Sequence, residues 1–139
     1  MDEYPEYQRE EIYQDLKEVL PEEAISENLF ERINNALDPY TFALDIRPED
    51  VPYAVVRPGS TREVSDLMRY ANFKKIPVFV RGSGTSLQGA SRYFHKGIVL
   101  NVSKLNHLNI MKDYGFVEFG PGHRVLYVKE QLEKEGYFL

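Results

Sequence analysis

Between Ala54 and Val80 the sequence runs from a short apolar stretch, through a helical stripe, to a second apolar stretch, and this order constrains the fold more than any other feature. Ala54-Val55-Val56-Arg57 reads as a buried strand, and Pro58-Gly59 turns it. Ser60-Thr61-Arg62-Glu63 is a capping box: the Ser60 hydroxyl can accept from the Glu63 N–H while the Glu63 side chain reaches back. Val64, Leu67, Met68 and Ala71 then mark one apolar face of a helix. Ile76 to Val80 is the next strand. Strand, helix and strand in about thirty residues make a βαβ unit. Its crossover is right-handed and sets the two strands parallel.

On either side of this unit the grammar differs. Upstream, Ile12, Leu16, Val19 and Leu20 keep helical spacing, and Pro21-Glu22-Glu23 reads as a new helix start. Leu29, Ile33 and Leu37 follow at four-residue steps, and Asp38-Pro39 ends that segment. The Pro-rich loop from Asp45 to Pro52 is the expected boundary between an acidic helical extension, residues 1–50, and a second unit, residues 51–139. Downstream, Gly97 to Asn101 is a third strand, and His107 to Met111 and Gly115 to Phe119 pair around Lys112-Asp113-Tyr114. Gly120-Pro121-Gly122 is a turn. Val125, Val128 and Leu132 line a last helix that Gly136 ends as a C′ cap. The final Tyr137-Phe138-Leu139 is apolar where a terminus is normally polar, which points to a chain that stops short of a further element.

Charge and composition exclude several classes. Residues 1–50 carry 15 acids against 4 bases, whereas residues 51–139 carry 7 acids against 13 bases. The bases of the second part are dispersed, without the basic run or stacked aromatics of a nucleic-acid binder. No apolar run approaches the roughly 20 residues of a membrane span. The N-terminus is acidic, unlike a secretory signal. The absence of cysteine removes disulfides, thiolate metal sites and cysteine nucleophiles, and it fits a cytoplasmic location. His95, His107 and His123 show no metal-ligand spacing and receive no role.

The second strand runs into Arg81-Gly82-Ser83-Gly84-Thr85-Ser86-Leu87-Gln88-Gly89-Ala90. A dinucleotide fingerprint, G-x-G-x-x-G, fails because Leu87 stands at the third glycine. A P-loop fails because Ala90 stands where its lysine must be. A backbone nest remains: Gly82 and Gly84 permit positive φ and close approach, and Ser83, Thr85 and Ser86 add hydroxyl donors. Spacing leaves this reading open beside a tight loop that serves only the fold, and the density of donors favours the nest.

As an ordered set, these segments resemble the FAD-linked oxidases, the vanillyl-alcohol oxidase and p-cresol methylhydroxylase flavoprotein family. The likeness is carried by Ile76-Pro77-Val78 with the loop Arg81 to Ala90, by Val55-Val56-Arg57-Pro58 with Ser60 and Glu63-Val64, by Gly97 to Leu100, and by Val117 to Gly122. It covers residues 40 to 139 and lies nearest the family branch that holds glycolate oxidase and D-lactate dehydrogenase.

The resemblance implies an α+β (α/β-like) fold: the first subdomain of that family's FAD-binding domain, a small βαβ-containing sheet with flanking helices behind a helical extension. It also implies that backbone N–H groups of Arg81, Gly82, Ser83, Gly84, Thr85 and Ser86 hold the FAD diphosphate. Gly89 and Ala90 would lie toward the flavin, and Pro77 and Val80 would flank the cofactor. Some members attach FAD through a histidine in this loop; Thr85 stands there, which implies non-covalent FAD. The family's second subdomain and substrate cap have no counterpart in the sequence, so the resemblance implies the FAD-diphosphate part of a longer oxidoreductase. Its implied reaction is hydride transfer from a 2-hydroxy acid of glycolate or D-lactate type to FAD. The residues handling the substrate would lie in the missing parts, and no catalytic residue is assigned. The alternative is a non-catalytic nucleotide- or anion-binding domain or a scaffold, and a partner subunit or homo-oligomer stays open.

Overall fold

The computed structural model describes residues 8–37, 39, 50–89, 93 and 96–139. Four helices are present among them: α1 (Arg9–Val19), α2 (Leu29–Ala36), α3 (Thr61–Lys74) and α4 (Val125–Lys134). The strands are β1 (Ile25–Ser26), β2 (Ala54–Val56), β3 (Val78–Arg81), β4 (Ile98–Asn101), β5 (Leu108–Met111) and β6 (Phe116–Phe119).

β1 to β4 form one sheet in the order β1-β2-β4-β3. β2 and β3 each run parallel to β4, which lies between them, and β1 pairs antiparallel with β2. The βαβ unit is therefore present with its strands parallel, and the third strand is inserted into the gap that α3 spans. β4 opens on three successive apolar residues, Ile98-Val99-Leu100, because it is central and covered on both faces. Ala54, Val56, Ile98 and Leu100 share a core with Ile12 and Leu16 of α1 and with Leu67 and Tyr70 of α3. Val55 and Val99, the alternate positions, form a second core with Ala36 of α2 and with Tyr93 and Phe79. The two-residue period of the strands thus sorts side chains between two helical layers.

Where α1 ends, the sequence reading is corrected. Pro21-Glu22-Glu23 does not start a helix. Glu22–Ala24 is a single 3-10 turn, and Ile25 and Ser26 then pair with Val56 and Val55. The Arg57 N–H donating to the Ala24 carbonyl at 2.7 Å extends this pairing. An open backbone edge on β2 is what draws these residues out of a helix. α2 begins later, where the Asn28 side chain accepts from the Glu31 N–H at 3.2 Å. Its four-residue apolar stripe is not its buried face: Leu29 is 54% exposed, whereas Asn35 and Ala36 are buried. On α3 Met68 is 44% exposed, and Tyr70 takes the core position with its hydroxyl on Asp15 at 3.1 Å.

The capping box forms at the start of α3. Ser60 Oγ accepts from the Glu63 N–H at 3.2 Å and donates to the Glu63 carboxylate at 2.9 Å, while that carboxylate accepts from the Gly59 N–H at 2.9 Å. Ser60→Ala removes the hydroxyl that accepts from the first turn and is expected to cost about 1 kcal/mol. Thermal denaturation of the two proteins measures it, and equal midpoints would show that Glu63 alone suffices. At the other end of the chain Gly136 has φ +81°. The Gly136 N–H donates to Glu133 and the Tyr137 N–H to Leu132, the paired bonds of a Schellman cap.

β5 and β6 make a separate antiparallel hairpin whose turn closes on Gly115 at φ +68°. Its exit, Gly120 to Gly122, is docked against the segment that follows β4. A Cβ on Gly120 would stand 2.0 Å from the Leu105 carbonyl oxygen, and one on Gly122 would stand 2.5 Å from that of Ser103. Only glycine permits this approach, and it brings the start of α4 to the sheet end where β3 and β4 finish.

Candidate anion-binding cleft

The glycine-rich loop leaves the C-terminal end of β3, beside the end of central β4. In open parallel sheets ligands bind outside these strand ends. Residues 82–89 contain no helix start, in keeping with the failed dinucleotide fingerprint. Gly84 has φ +67° and Gly89 has φ +74°. Gly82 does not use positive φ, contrary to the freedom ascribed to it from the sequence. Its importance is spatial, since no atom lies within 4 Å of where a Cβ would stand. Gly82, Ser83 and Thr85 are exposed, and the Ser86 hydroxyl accepts from the Gln88 N–H at 3.2 Å.

Arg81 turns its side chain away from the loop mouth. Its Nη1 donates to the Leu37 carbonyl and, at 3.3 Å, to the Asn35 carbonyl, both at the end of α2. A helix C-terminus carries partial negative charge from unsatisfied carbonyls, which suits a guanidinium. The guanidinium also lies over Gly84, where a Cβ would come within 2.2 Å of it. Beneath this, Asn101 Nδ2 donates to Asn35 Oδ1 at 2.7 Å, and Asn35 Nδ2 donates to the Glu31 carbonyl at 2.8 Å. Asn101 Oδ1 accepts from the Ser103 N–H at 3.0 Å. This buried amide chain ties α2, the end of β4 and the loop base into one unit. Sequence reasoning missed it, because two asparagines 66 positions apart leave no local signal.

Facing the loop is the turn at the start of α4. Gly82, Ser83, Ser103, Pro121, Gly122, His123 and Arg124 line a cleft of about 210 Å³ between the two. Its polar groups are backbone, two hydroxyls, an imidazole and a guanidinium, and no carboxylate lines it. That donor set is complementary to an anion. The volume falls below the roughly 300–1,000 Å³ of a whole small-molecule pocket, so it suits the charged part of a larger ligand. The diphosphate of FAD fits on both counts.

Of the other residues singled out from the sequence, Val80 is 57% exposed on the outer edge of β3. Gly89 is half-buried at the far end of the loop. Pro77 lies before β3, where its carbonyl accepts from the Ile98 N–H at 2.9 Å. The four residues of β3, a span of roughly 16 Å over five Cα steps, separate it from Gly82. The structure therefore brings Gly82 and Ser83 to the cleft and leaves Pro77 at the opposite end of the strand. Ala90 and His95 lie outside the described residues. Tyr93 packs edge-on against Phe79 with ring centroids 4.8 Å apart, and its hydroxyl oxygen accepts from the Gly97 N–H at 2.7 Å. Burial pushes its phenol well above the ordinary range, so it stays neutral and serves the fold. His107 pairs across the hairpin with Glu118 at 3.4 Å. Among the described residues no cluster of histidine, aspartate or glutamate is arranged to hold a metal.

Residues 52–139 match the FAD binding domain family. The chain is 40% identical over 70 residues to a D-lactate dehydrogenase of Archaeoglobus fulgidus, covering 50% of this chain and 16% of that protein. It is 32% identical over 108 residues to a UDP-N-acetylenolpyruvoylglucosamine reductase of Staphylococcus haemolyticus, covering 76% and 31%. With the glycolate oxidase subunit GlcD of Bacillus subtilis it shares 29% over 128 residues, covering 91% and 27%. The chain thus spans a third or less of each relative's length. The structure of a 4-ethylphenol oxidase from Gulosibacter chungangensis superposes with a TM-score of 0.78 at 20% identity, over 97% of this chain and 26% of that one, and so shares its fold. A strand-end loop of backbone donors, an acid-free cleft and these relatives agree: the chain belongs to the FAD-binding domain family of the FAD-linked oxidases, and FAD is its cofactor.

Proposed function

We propose that this chain is the diphosphate clamp of a flavoenzyme that oxidises a 2-hydroxy acid of glycolate or D-lactate type. The observation that carries the clamp is the cleft between the Gly82–Ser83 backbone and the Pro121–Arg124 turn, open where Gly82 lacks a side chain. Backbone N–H groups from Arg81 to Ser86 and the Ser83 and Ser103 hydroxyls hold the diphosphate there, and Arg124 balances its charge. Arg81 acts on the cofactor only through its backbone, since its side chain fixes the loop to α2. Gly89 continues the loop toward the flavin, and exposed Val80 covers cofactor on the edge of β3. Pro77 contributes through the strand rather than by contact with the diphosphate. Thr85 offers no imidazole for a covalent bond, so FAD is held non-covalently.

When bound, FAD supplies the hydride acceptor; this chain binds and orients it, and the groups that act on the substrate belong to the rest of a longer protein. The hydroxy-acid reading is supported by the similarity to proteins named D-lactate dehydrogenase and glycolate oxidase. The similarity to a UDP-N-acetylenolpyruvoylglucosamine reductase favours a second reading, in which electrons leave the flavin for a substrate. Full-length protein mixed anaerobically with D-lactate or glycolate separates the two. Bleaching of the flavin absorbance by either acid is the expected result. A flavin that stays oxidised with both would overturn the hydroxy-acid reading. Acid-denatured protein is expected to release free FAD into the supernatant, and flavin retained on the precipitated chain would overturn non-covalent binding.

A further inference from the structure

His123 lines the cleft, and its Nε2 is withdrawn from solvent with no hydrogen-bond partner among the described residues. A buried polar atom left unpaired is costly, and such atoms are rare in folded proteins. One that borders a binding cleft has an evident partner, the ligand. The ring is also held in place. It stacks on Tyr127 with centroids 5.0 Å apart and planes 10° from parallel, and the His123 N–H donates to the Gly120 carbonyl at 3.2 Å. Its neighbours in the cleft are the Ser83 and Ser103 hydroxyls, glycine backbone and Arg124, so an imidazole N–H there completes a set of donors.

We infer that His123 is a diphosphate-recognition residue, its Nε2–H donating to a phosphate oxygen of the FAD held between Gly82–Ser83 and Pro121–Arg124. This rests on the clamp proposed above and adds a side chain to a site otherwise built from backbone and hydroxyls. The backbone at His123 is held by its bond to Gly120, and a turn of the ring against Tyr127 brings Nε2 from its covered position to the phosphate when the ligand arrives. The ring fills its place in the apoprotein without a bond, and cofactor binding satisfies it.

The test compares His123→Phe and His123→Gln with wild type in full-length apoprotein, titrated with FAD and with riboflavin, which lacks the diphosphate. Phenylalanine keeps a ring to stack on Tyr127 and removes the donor; glutamine keeps a donor. His123→Phe is expected to weaken FAD binding about 10-fold, the loss of one hydrogen bond to a charged group. It leaves riboflavin binding unchanged and does not lower the apoprotein's thermal midpoint. His123→Gln is expected to stay within about 3-fold of wild type for FAD, since it retains a donor. Unchanged FAD affinity in His123→Phe, or equal losses for FAD and riboflavin, overturns the assignment and leaves the clamp standing. A wild-type apoprotein that does not bind FAD overturns both. Should His123→Phe not fold, His123→Leu, which also lacks a donor, takes its place, and the same FAD and riboflavin titrations decide.

Discussion

Residues 51–139 expressed alone are expected not to fold cooperatively, even though they contain the whole segment that matches the FAD-binding family. The family match begins at residue 52, but the hydrophobic core begins at Ile12. Ile12, Leu16, Leu20 and Ile25 pack in one cluster with Val56, Leu67, Tyr70 and Leu100. Cutting at residue 51 removes all four and exposes the side chains they cover. At about 1.5–3 kcal/mol for each buried aliphatic side chain, the loss is roughly 6–12 kcal/mol. That is comparable to the whole stability of a typical domain, about 5–15 kcal/mol. The cut also removes β1 from the edge of β2, and the Asn35 and Leu37 carbonyls that hold Arg81. Asp15 leaves as well. Its carboxylate lies 2.8 Å from Lys74 and, with Glu11, holds that ammonium's pKa above the ordinary lysine value. Circular dichroism melting of residues 1–139 and 51–139 measures the effect. A cooperative transition at the same midpoint in both would show that the N-terminal helices are not part of this core.

This N-terminal integration also shows where the sequence stopped being informative. The βαβ unit was legible because strand and helix periods are local, and the Ser60–Glu63 box and the Gly136 cap carry their chemistry within four residues. The loop was legible as a donor-rich turn, and the family resemblance supplied its ligand. β1 was not, because Ile25-Ser26 has no strand signal of its own and exists through its pairing with Val55 and Val56. The same holds for the face of α2: the Leu29, Ile33 and Leu37 stripe is locally sound, but the helix is rotated by the Asn35–Asn101 bond and by Arg57 reaching Glu31 at 2.9 Å. That arginine, after the Ser26 hydroxyl, holds the Glu31 carboxyl below its ordinary pKa. At the site, composition marked Arg81 as part of the loop, and only the fold shows its side chain directed backward. His123 carries no role legible in the sequence, for the absence of a partner around Nε2 is a three-dimensional fact.

Gly84→Val is expected to have the largest effect of any single substitution in the loop, through two separable routes. Gly84 sits at φ +67°, a conformation that a β-branched residue adopts only under strain of about 1–3 kcal/mol. Its Cβ would also stand 2.2 Å from Arg81 Nη2 and 2.3 Å from Cζ. An arginine tip normally swings aside cheaply, but this one is tied to the Leu37 and Asn35 carbonyls. Moving it gives up hydrogen bonds from a charged donor, each contributing about 1.5–3 kcal/mol. The loop base then loses its attachment to α2, and the backbone donors of residues 82–86 lose their common orientation. Full-length Gly84→Val is thus expected to lose about 3–5 kcal/mol of stability, and FAD affinity about 100-fold or more. Gly82→Ala separates folding from binding. Its φ is ordinary and its Cβ meets nothing within 4 Å, so the thermal midpoint should not move. A methyl group there nevertheless projects into the space assigned to the diphosphate, and FAD affinity should fall. Unaltered flavin content in both variants would mean that the diphosphate lies elsewhere. Loss in Gly84→Val alone would mean that this loop supports the fold without touching the cofactor at Gly82.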